Sequence, residues 1–525
     1  MKRLVFGLVI TAFAMTITTP VLTQTLAVDD PVLRQIWTEA MENSQLERTA
    51  RELNDGFGTR LTGSLQYQKA HEWAVNKFAE WGISAENEQY GTWVGWERGI
   101  THVDLVEPWV RTLDGMSLAW SHGTRRPIRA EVVVVPTVAN SDEFNAWLPN
   151  VRGKLVLISF PEPTGRPDVV WEEFAQSGAA ERMQEERDLA RTAFRDNLNN
   201  AGFEGRNPQG ALGQALEEAG AAGVFSMNWM GGWGTYRVFS GYTEEIPSVQ
   251  LSLEDYTLLY RMAANGQKPV VELEAETTFL GDQPAMNTIA MIPGTEKPDE
   301  YVILMGHLDT TSGAMGACDN TTGSIIAMEA LRILKQVYPN PKRTIIVGLW
   351  GSEEQGLNGS RAFVEDHPEI IAGMQAGFNQ DNGTGRCVSM SDNGFIGAGP
   401  YLSEWVSLIP TEVSSHIDLQ LPGMPSSGGS DHASFVAVGA PCFSLRSLNW
   451  EYGYTWHTQR DTYDKIVFEE IRNNVVLAAS LAYLASEELD TVPRTKRDMP
   501  IDPRTGEPRE WPAQRMANRK GGGQN

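Results

Sequence analysis

The chain has 525 residues, which exceeds the roughly 250 to 300 residues at which a single hydrophobic core stops growing, so we expect two domains. Its formal net charge of −24 argues against nucleic acid and against an anionic membrane as partners, because both favour basic surfaces. The three cysteines, Cys318, Cys387 and Cys442, are too few for a disulfide framework.

The N-terminal segment has the features of a secretory signal peptide in their usual order. Lys2 and Arg3 precede the apolar run Leu4 to Met15, which is too short to span a bilayer comfortably, and a polar segment follows. We therefore predict that residues 1–24 are a signal peptide and that the protein is secreted or periplasmic. An N-terminal membrane anchor is the alternative.

Residues 29–81 predict two helices around a loop. Apolar side chains recur at helical spacing on both sides of the sequence Gly-Thr-Arg-Leu-Thr-Gly-Ser. His71 and Glu72 resemble the start of a zinc-binding helix, but the residue one turn later is Val75 rather than a second histidine. We therefore expect His71 on the surface of the helix and not at a metal.

The segment 126–276 carries strand and helix patterns without the acidic and histidine clusters of a metal site. Strands are predicted at 130–136, 153–160, 223–227 and 246–251, and helices at 182–200, 211–222 and 252–264. Its Gly-Lys-Leu-Val-Leu and Ile-Pro-Ser-Val-Gln-Leu-Ser sequences resemble a protease-associated domain, a non-catalytic module. We expect a self-contained, β-rich α+β insert whose removal leaves the metal ligands in place.

From Ala285 onwards predicted strands alternate with helices. The strand candidates are 287–291, 301–305, 344–350, 376–380 and 442–447, and a helix is predicted at 324–337. This alternation is typical of an α/β fold with a mainly parallel mixed sheet flanked by helices. We assign residues 25–125 and 277–490 to this catalytic domain. Residues 491–525 are rich in proline, arginine and glycine, so we predict a flexible tail.

Acidic and histidine side chains follow the ends of successive predicted strands. They are His307, Asp309, Asp319, Glu353, Glu354 and Asp381, with His457 later in the chain. In an α/β sheet, ligands bind outside the carboxyl ends of the strands, so we expect these groups to converge. The one basic residue inside these motifs, Arg460, cannot balance four carboxylates, which would otherwise take up protons. Two divalent metal ions held by nitrogen and oxygen ligands would balance the charge of these carboxylates. This ligand set suits zinc.

The motifs together resemble a known family. They are His-x-Asp, Gly-Ala-x-Asp-Asn-x-x-Gly, Gly-Ser-Glu-Glu-x-Gly-Leu-x-Gly-Ser, an Asp after the next strand, Ser-Asp-His, and His-Thr-x-x-Asp-Thr. This order is similar to that of the co-catalytic zinc exopeptidases, the family of bacterial leucyl aminopeptidase, carboxypeptidase Q and glutamate carboxypeptidase II. The resemblance covers about 29–125 and 285–489, and it implies the zinc exopeptidase fold and two zinc ions per chain.

The resemblance also implies a role for each site residue. His307 and Asp381 would hold one zinc, Glu354 and His457 the other, and Asp319 would bridge them, with a cis peptide bond between Asp319 and Asn320. Glu353 would be the general base, and Asp309 would orient His307. We read Asp431 and His432 as residues that support the ligands or shape their loop. The oxyanion donor stays unassigned, because Met-Pro-Ser-Ser-Gly-Gly precedes Ser-Asp-His where some relatives place a tyrosine.

The implied reaction is hydrolysis of a peptide bond by a metal-activated water. We interpret the chain first as an aminopeptidase, because carboxylates near the metals can bind a free α-amine. A carboxypeptidase or dipeptidase of the carboxypeptidase Q type, a glutaminyl cyclase-like enzyme and a metal-free binding protein are the alternatives. A serine hydrolase is disfavoured, because Ser430, Asp431 and His432 are consecutive and no Gly-x-Ser-x-Gly motif occurs. The expected partner is a peptide substrate, and the oligomeric state is open.

Overall fold

The computed structural model describes residues 29–522, so the predicted signal peptide at 1–24 lies outside the described residues. The α-helices of this part are α1 (Pro31–Glu42), α2 (Leu46–Phe57), α3 (Leu65–Glu80), α4 (Ser141–Trp147), α5 (Asp168–Phe174), α6 (Ala179–Asn200), α7 (Pro208–Glu218), α8 (Leu253–Ala264), α9 (Thr322–Val337), α10 (Asn358–Asp366), α11 (Pro368–Gly373), α12 (Gly399–Leu408), α13 (Thr411–Ser414), α14 (His432–Ala437) and α15 (Phe468–Glu487). Among residues 29–522, no helix is both long and apolar enough to cross a membrane.

The strands fall into two β-rich regions, which are joined where β4 pairs with β8. They are β1 (Ser84–Glu107), β2 (Arg111–Thr112), β3 (Gly115–Ser117), β4 (Ile128–Val134), β5 (Leu155–Leu157), β6 (Gly223–Ser226), β7 (Ser248–Leu251), β8 (Val270–Ile292), β9 (Lys297–His307), β10 (Arg343–Trp350), β11 (Met374–Gln380), β12 (Cys387–Ser391), β13 (Asp418–Gln420), β14 (Cys442–Ser447) and β15 (Lys520–Gly521). The order of neighbours along the sheet is β13-β12-β14-β11-β9-β10-β8-β4-β5-β6-β7-β3.

The catalytic sheet has a parallel centre. Strands β10, β9, β11 and β14 run parallel, and β8 and β12 join this centre as antiparallel neighbours. The C-terminal half of β9 is buried, and so is almost every residue of α9, which packs against β9 and α15. The sheet is therefore a mainly parallel mixed sheet flanked by helices, which confirms the predicted fold class.

The region predicted as an insert has a small sheet of its own. Strands β4, β5, β6 and β7 run parallel, and β3 closes the edge antiparallel to β7. Two clusters of buried apolar side chains fill this region: one around Phe144, and one around Tyr256 that also includes Val103, Leu105 and Leu113 from outside the predicted insert. The two regions share a long antiparallel ribbon of β1 and β8, which pairs Ser84 with Met291 at one end and Glu107 with Val270 at the other. Strand β8 crosses the expected boundary at residue 276.

Two expectations about individual segments differ from the structure. His71 is fully buried on α3, where its Nδ1 lies 2.8 Å from Thr288 Oγ1, because this face of α3 packs against β1 and β8. Residues 491–522 lie against the catalytic region instead of forming a loose tail. The Trp511 indole donates to the carbonyl of Val436 at 2.9 Å, and β15 pairs with β1.

Candidate metal centre

The carboxyl ends of three neighbouring strands bring the predicted site residues together. His307 is the last residue of β9 and pairs with Trp350, the last residue of β10. The turn after β10 carries Glu353 and Glu354, and Asp381 follows the end of β11. Because β9, β10 and β11 are parallel, their carboxyl ends lie at one edge of the sheet.

His307, Asp319 and Asp381 form the first possible metal-binding group. His307 Nε2 lies 3.1 Å from Asp319 Oδ1 and 3.1 Å from Asp381 Oδ1. The other ring nitrogen, Nδ1, lies 3.1 Å from the backbone carbonyl of Asp309. This contact leaves Nε2 as the nitrogen that faces the two carboxylates.

Asp319, Glu354 and His457 form the second group. His457 Nε2 lies 3.1 Å from Asp319 Oδ2 and 3.0 Å from Glu354 Oε2. Asp319 therefore belongs to both groups and turns one carboxylate oxygen towards each histidine. The Asp319–Asn320 peptide bond is cis, as the family resemblance implies.

The donor set of both groups fits divalent zinc. Each group offers one imidazole nitrogen and two carboxylate oxygens, and its donor atoms lie within 4.8 Å of one another. Imidazole and carboxylate together suit zinc, and three protein ligands leave a position for water or substrate. The thiol of Cys318 belongs to neither group, and all three cysteines are free and buried.

Without metal, the carboxylates of the two groups favour the protonated form of both histidines. Burial by itself would lower the pKa of His457, but the Glu354 charge and the hydrogen bond to Asp319 raise it to about 10. Burial likewise opposes the charged form of His307, yet the charges of Asp381 and Glu353 raise its pKa well above the usual value. A divalent cation can supply the same positive charge.

Asp309 connects the first group to the two glutamates. Its Oδ1 lies 3.6 Å from His307 Nδ1 and accepts the backbone N–H of Glu353 at 3.1 Å, and its Oδ2 accepts the N–H of Glu354 at 3.2 Å. The buried Asp309 carboxylate thus holds the turn after β10 and lies beside the His307 imidazole, whose Nδ1 is held by the Asp309 backbone carbonyl.

Glu353 lines the same cleft as the two groups but belongs to neither of them. Burial raises the pKa of Glu353 well above its usual value, His307 opposes the shift, and the charges of Asp381, Asp431 and Glu354 add to it. A carboxylate in such a position is suited to accept a proton and to give it back, which is what the sequence predicts for this residue.

Two buried residues that the sequence analysis did not assign hold the Asp319 loop. Asp461 accepts the backbone N–H groups of Cys318 at 2.7 Å and of Asp319 at 3.0 Å. Burial, together with the Asp319 charge, raises the pKa of Asp461 to about 7. Arg60 donates to the carbonyl of Leu308 at 2.7 Å and also binds the carbonyl of Met315 and the hydroxyl of Thr321. The aspartate of the His-Thr-x-x-Asp-Thr motif was the available signal for Asp461.

The structure places Asp431 and His432 close to the ligands but gives them different surroundings. Asp431 is fully buried, and burial, opposed by His307 and reinforced by the Asp381 charge, raises its pKa to about 7. His432 Nδ1 lies 3.3 Å from the side-chain nitrogen of Asn379, which is in the strand that leads to Asp381. Neither residue is part of the two groups.

The His457 loop is held in part by the predicted insert. The backbone N–H of Val238 donates to the carbonyl of His457 at 3.3 Å, and the Phe239 ring meets the imidazole edge to face at 5.4 Å. The Arg237 guanidinium lies 3.9 Å from the ring centre of Trp456. The insert therefore reaches one of the two histidines of the centre.

A cleft of about 550 Å³ opens over the two groups, and Asp319, Glu353, Glu354, Asp381 and His457 line it. A smaller pocket of about 80 Å³ also borders Glu354. Its lining is mostly apolar and includes Leu61, Trp93, Trp120, Val238 and Phe239. The centre thus lies between an open polar space and a small apolar one.

Comparison with known proteins identifies peptidases as the relatives of the region that contains the two metal-binding groups. A model described as Peptidase family M28 matches residues 287–482, the segment that contains both groups. The chain is 27% identical over 458 residues to carboxypeptidase Q from Mus musculus, covering 86% of this chain and 88% of that protein. It is 26% identical over 461 residues to carboxypeptidase Q from Homo sapiens, with coverage of 86% and 88%.

Two solved structures have a similar fold. A peptidase M28 precursor from Shewanella amazonensis SB2B matches with a TM-score of 0.64 and 22% identity, covering 88% of this chain and 97% of that chain. A zinc aminopeptidase from Bacillus subtilis matches with a TM-score of 0.54 and 17% identity, covering 86% and 97%. The family model and the relatives agree with the donor chemistry of the centre: residues 287–482 resemble peptidase family M28, and the chain is a metallo-exopeptidase.

Proposed function

We propose that the protein is a secreted or periplasmic exopeptidase that binds two zinc ions per chain and hydrolyses short peptides. The observation that carries this proposal is the double use of Asp319, whose two carboxylate oxygens each lie 3.1 Å from a different histidine. A shared carboxylate between two nitrogen-and-oxygen groups is suited to two ions held side by side. His307 and Asp381 would complete the first site, and Glu354 and His457 the second.

Glu353 is the residue to which we assign the proton transfers. When bound, the zinc ions would lower the pKa of a water molecule and polarise the scissile carbonyl. Glu353 would take the proton from the attacking water and deliver it to the leaving amine. Asp309 keeps Glu353 in place, because it accepts the Glu353 backbone N–H at 3.1 Å.

The supporting residues keep the ligands in position. Asp309 would hold the His307 imidazole with Nε2 towards the ion, and such contacts raise the basicity of a ligating histidine. Asp461 would hold the Asp319 loop through two backbone N–H groups. Asp431 and His432 would complete the packing beside Asp381 and Asn379.

For the direction of cleavage, we propose an activity of the carboxypeptidase Q type on short peptides. Relatives of that name align with 86% of the chain, including the insert and the catalytic region. Aminopeptidase activity is the second candidate, because the four carboxylates that line the cleft can bind a free α-amine. A dipeptide has a free α-amine and a free α-carboxylate, so it could be a substrate for either activity.

For localisation, we propose that residues 1–24 direct export and that the mature chain begins at about residues 21 to 28, just past the apolar run. Mass measurement of exported protein tests this proposal. Exported material that still begins with Met1 would contradict it.

The test of the catalytic proposal combines metal analysis with a substrate panel. We expect about two zinc ions per chain, loss of activity on chelation and recovery when zinc is added back. The panel contains a dipeptide, an aminoacyl nitroanilide and an N-blocked dipeptide, so it separates dipeptidase, aminopeptidase and carboxypeptidase activities. Activity that survives complete removal of metal, or no hydrolysis of any of the three, would overturn the proposal.

A further inference from the structure

The cleft over the metal centre contains two arginines that the catalytic assignment does not use. Arg361, in the first turn of α10, and Arg515, in the C-terminal segment, both line this cleft together with the acidic residues of the centre. The Arg361 side chain is partly buried and that of Arg515 is exposed. The cleft is therefore acidic at the metal groups and carries two positive charges elsewhere on its wall.

These two guanidinium groups lack an ion pair or hydrogen bond to any residue in the described range 29–522. They are close enough to each other that the Arg515 charge, after burial, contributes to lowering the pKa of Arg361. Asp431, Glu353 and Glu365 attract Arg361 only from beyond ion-pair distance. Two neighbouring like charges without a partner repel each other, and an anion between them would remove this cost.

Arg515 is held at the cleft by contacts on both sides of it along the chain. We call residues 511–521 the C-terminal strap. Before Arg515, Trp511 donates to the carbonyl of Val436 at 2.9 Å and packs against the Phe395 ring at 5.4 Å. After Arg515, the Asn518 backbone N–H donates to Asn358 at 2.8 Å, and β15 pairs with β1. These contacts leave Arg515 directed to the cleft that it lines.

Arg519 shows what a structural arginine in the same strap looks like. Its guanidinium lies 2.8 Å from a carboxylate oxygen of Asp366 and 2.9 Å from one of Glu365. Arg519 thus anchors the strap to α10 through two carboxylates of the chain. Arg515, four residues earlier, has no such partner within the part of the chain that the structure describes.

We propose that Arg361 and Arg515 together bind the C-terminal α-carboxylate of the peptide substrate and select peptides with a free carboxyl end. This inference rests on the proposed exopeptidase function and names the residues that recognise its substrate. The guanidinium group is a planar fork that binds a carboxylate through two parallel N–H donors. The strap therefore acts as part of the substrate site.

The arrangement of the cleft defines the class of substrate. A carboxylate at the two arginines lies in the same open space as the metal groups, and the apolar pocket that borders Glu354 can receive the side chain of the preceding residue. The recognised anion could also be a side-chain carboxylate of the last residue. Substrates that carry one, the other or neither of these carboxylates separate the two sources.

The experiment uses the full chain with zinc and the peptides Ala-Leu, Ala-Leu amide and Ala-Glu amide. Arg361→Ala and Arg515→Ala are each expected to lower kcat/KM for Ala-Leu by about 10- to 100-fold, the range of a charge-assisted contact, mainly through KM. Neither change should alter kcat/KM for Ala-Leu amide, which lacks the carboxylate. Arg504→Ala removes the same charge from an exposed arginine that pairs with Asp502, and it serves as the control.

The readout is the ratio of kcat/KM for Ala-Leu to that for Ala-Leu amide, together with the zinc content of each variant. A misfolded variant lowers both rates and leaves this ratio unchanged. Where the alanine variants lower the ratio, Arg361→Lys and Arg515→Lys should restore part of it. An unchanged ratio in the folded Ala and Lys variants overturns the inference, even when the wild type is a zinc-dependent peptidase. A variant effect confined to Ala-Glu amide assigns the arginines to a side-chain carboxylate and also overturns it. Absence of zinc-dependent hydrolysis in the wild type rejects the proposed function itself.

Discussion

The two halves of the metal centre are built differently. His307 ends a central strand, is fully buried, and has its second nitrogen 3.1 Å from a backbone carbonyl. His457 lies outside the strands, has a φ of +60°, and its side chain is 13% exposed. Its Nδ1 is buried without a hydrogen-bond partner among the described residues.

The difference shows which parts of the chain each half depends on. The His307 half is made by the catalytic sheet and the loop that follows β9. The His457 half depends also on Val238 and Phe239 of the predicted insert. The expectation that the ligands do not depend on the insert is therefore at variance with these contacts, and the insert contributes to the site.

The largest expected effect comes from Glu353, which lines the cleft beside both halves and belongs to neither of them. Glu353→Gln keeps the shape of the side chain, leaves both metal groups intact and removes the proton acceptor. We expect turnover to fall by about two to four orders of magnitude while zinc content stays near two per chain. The measurements are steady-state kinetics and zinc stoichiometry.

Glu354→Gln is the matched comparison for that change. It removes a charged oxygen from the His457 half only, so one zinc should be weakened or lost together with activity. Full activity in Glu353→Gln, or loss of metal from Glu353→Gln but not from Glu354→Gln, would overturn the assignment of Glu353 as the base and Glu354 as a ligand.

Asp309→Asn should weaken the His307 half and disturb the glutamate turn. The amide loses one acceptor oxygen for the His307 imidazole and for the backbone N–H groups of Glu353 and Glu354. We expect zinc affinity to fall by about 10- to 100-fold, the usual effect of removing a group that orients a ligand. Competition with a chelator measures this affinity. Asp418→Asn changes an exposed carboxylate and is the control, which should bind zinc as tightly as the wild type. Equal zinc affinities of the Asp309→Asn and Asp418→Asn variants would show that Asp309 does not support the zinc ligands.

Phe239→Ala tests the dependence of the His457 half on the insert. Loss of the ring contact at 5.4 Å should weaken one of the two ions by about tenfold and leave the other unchanged. Zinc titration of metal-free protein resolves the two sites. Phe174→Ala removes an exposed aromatic side chain from the same insert and is the control. Equal weakening of both ions, or of neither, would reject the distinction between the halves.

The smallest effect that we expect is a release of protons when zinc binds. Without metal, the pKa of His457 is raised to about 10 and that of His307 well above its usual value, so the neighbouring carboxylates favour the protonated form of both rings. Zinc binds the neutral ring, so binding must displace these protons, and affinity should rise as pH increases from 6 to 8. The number of protons released is measured by calorimetry of zinc binding in buffers of different ionisation enthalpy. A binding enthalpy that is the same in all buffers would contradict this expectation.

The convergence of the predicted site residues could be inferred from the sequence because most of them are tied to strand ends. His307, Glu353, Glu354 and Asp381 each end or closely follow a buried strand, and a parallel sheet necessarily brings such positions together. The sheet itself was predictable for the same reason, since apolar runs alternate with amphipathic segments. His457 is outside this rule, and only the family motif pointed to it.

The remaining parts of the site depend on contacts between distant segments. Arg60 reaches the metal loop from the turn between α2 and α3, and no local pattern indicates this approach. Arg515 belongs to a segment whose composition predicts disorder, because it has few aliphatic residues. That segment is held instead by one tryptophan, by the carboxylates that bind Arg519 and by backbone pairing with β1. A few polar contacts of this kind hardly alter the amino-acid composition, so the composition of the segment does not reveal that it is ordered.

The ribbon of β1 and β8 has a consequence for the order in which the chain folds. Strand β1 is synthesised long before β8, and Ser84 finds its partner only when Met291 is made. Between them, β4 to β7 pair with one another at shorter sequence separations than those of the ribbon, such as Leu155 with Gly223. Because distant pairings form slowly, we expect the insert to fold first and the catalytic sheet to close afterwards. Because β8 follows the insert in the chain and pairs with β1, the metal centre would form only after the insert has folded.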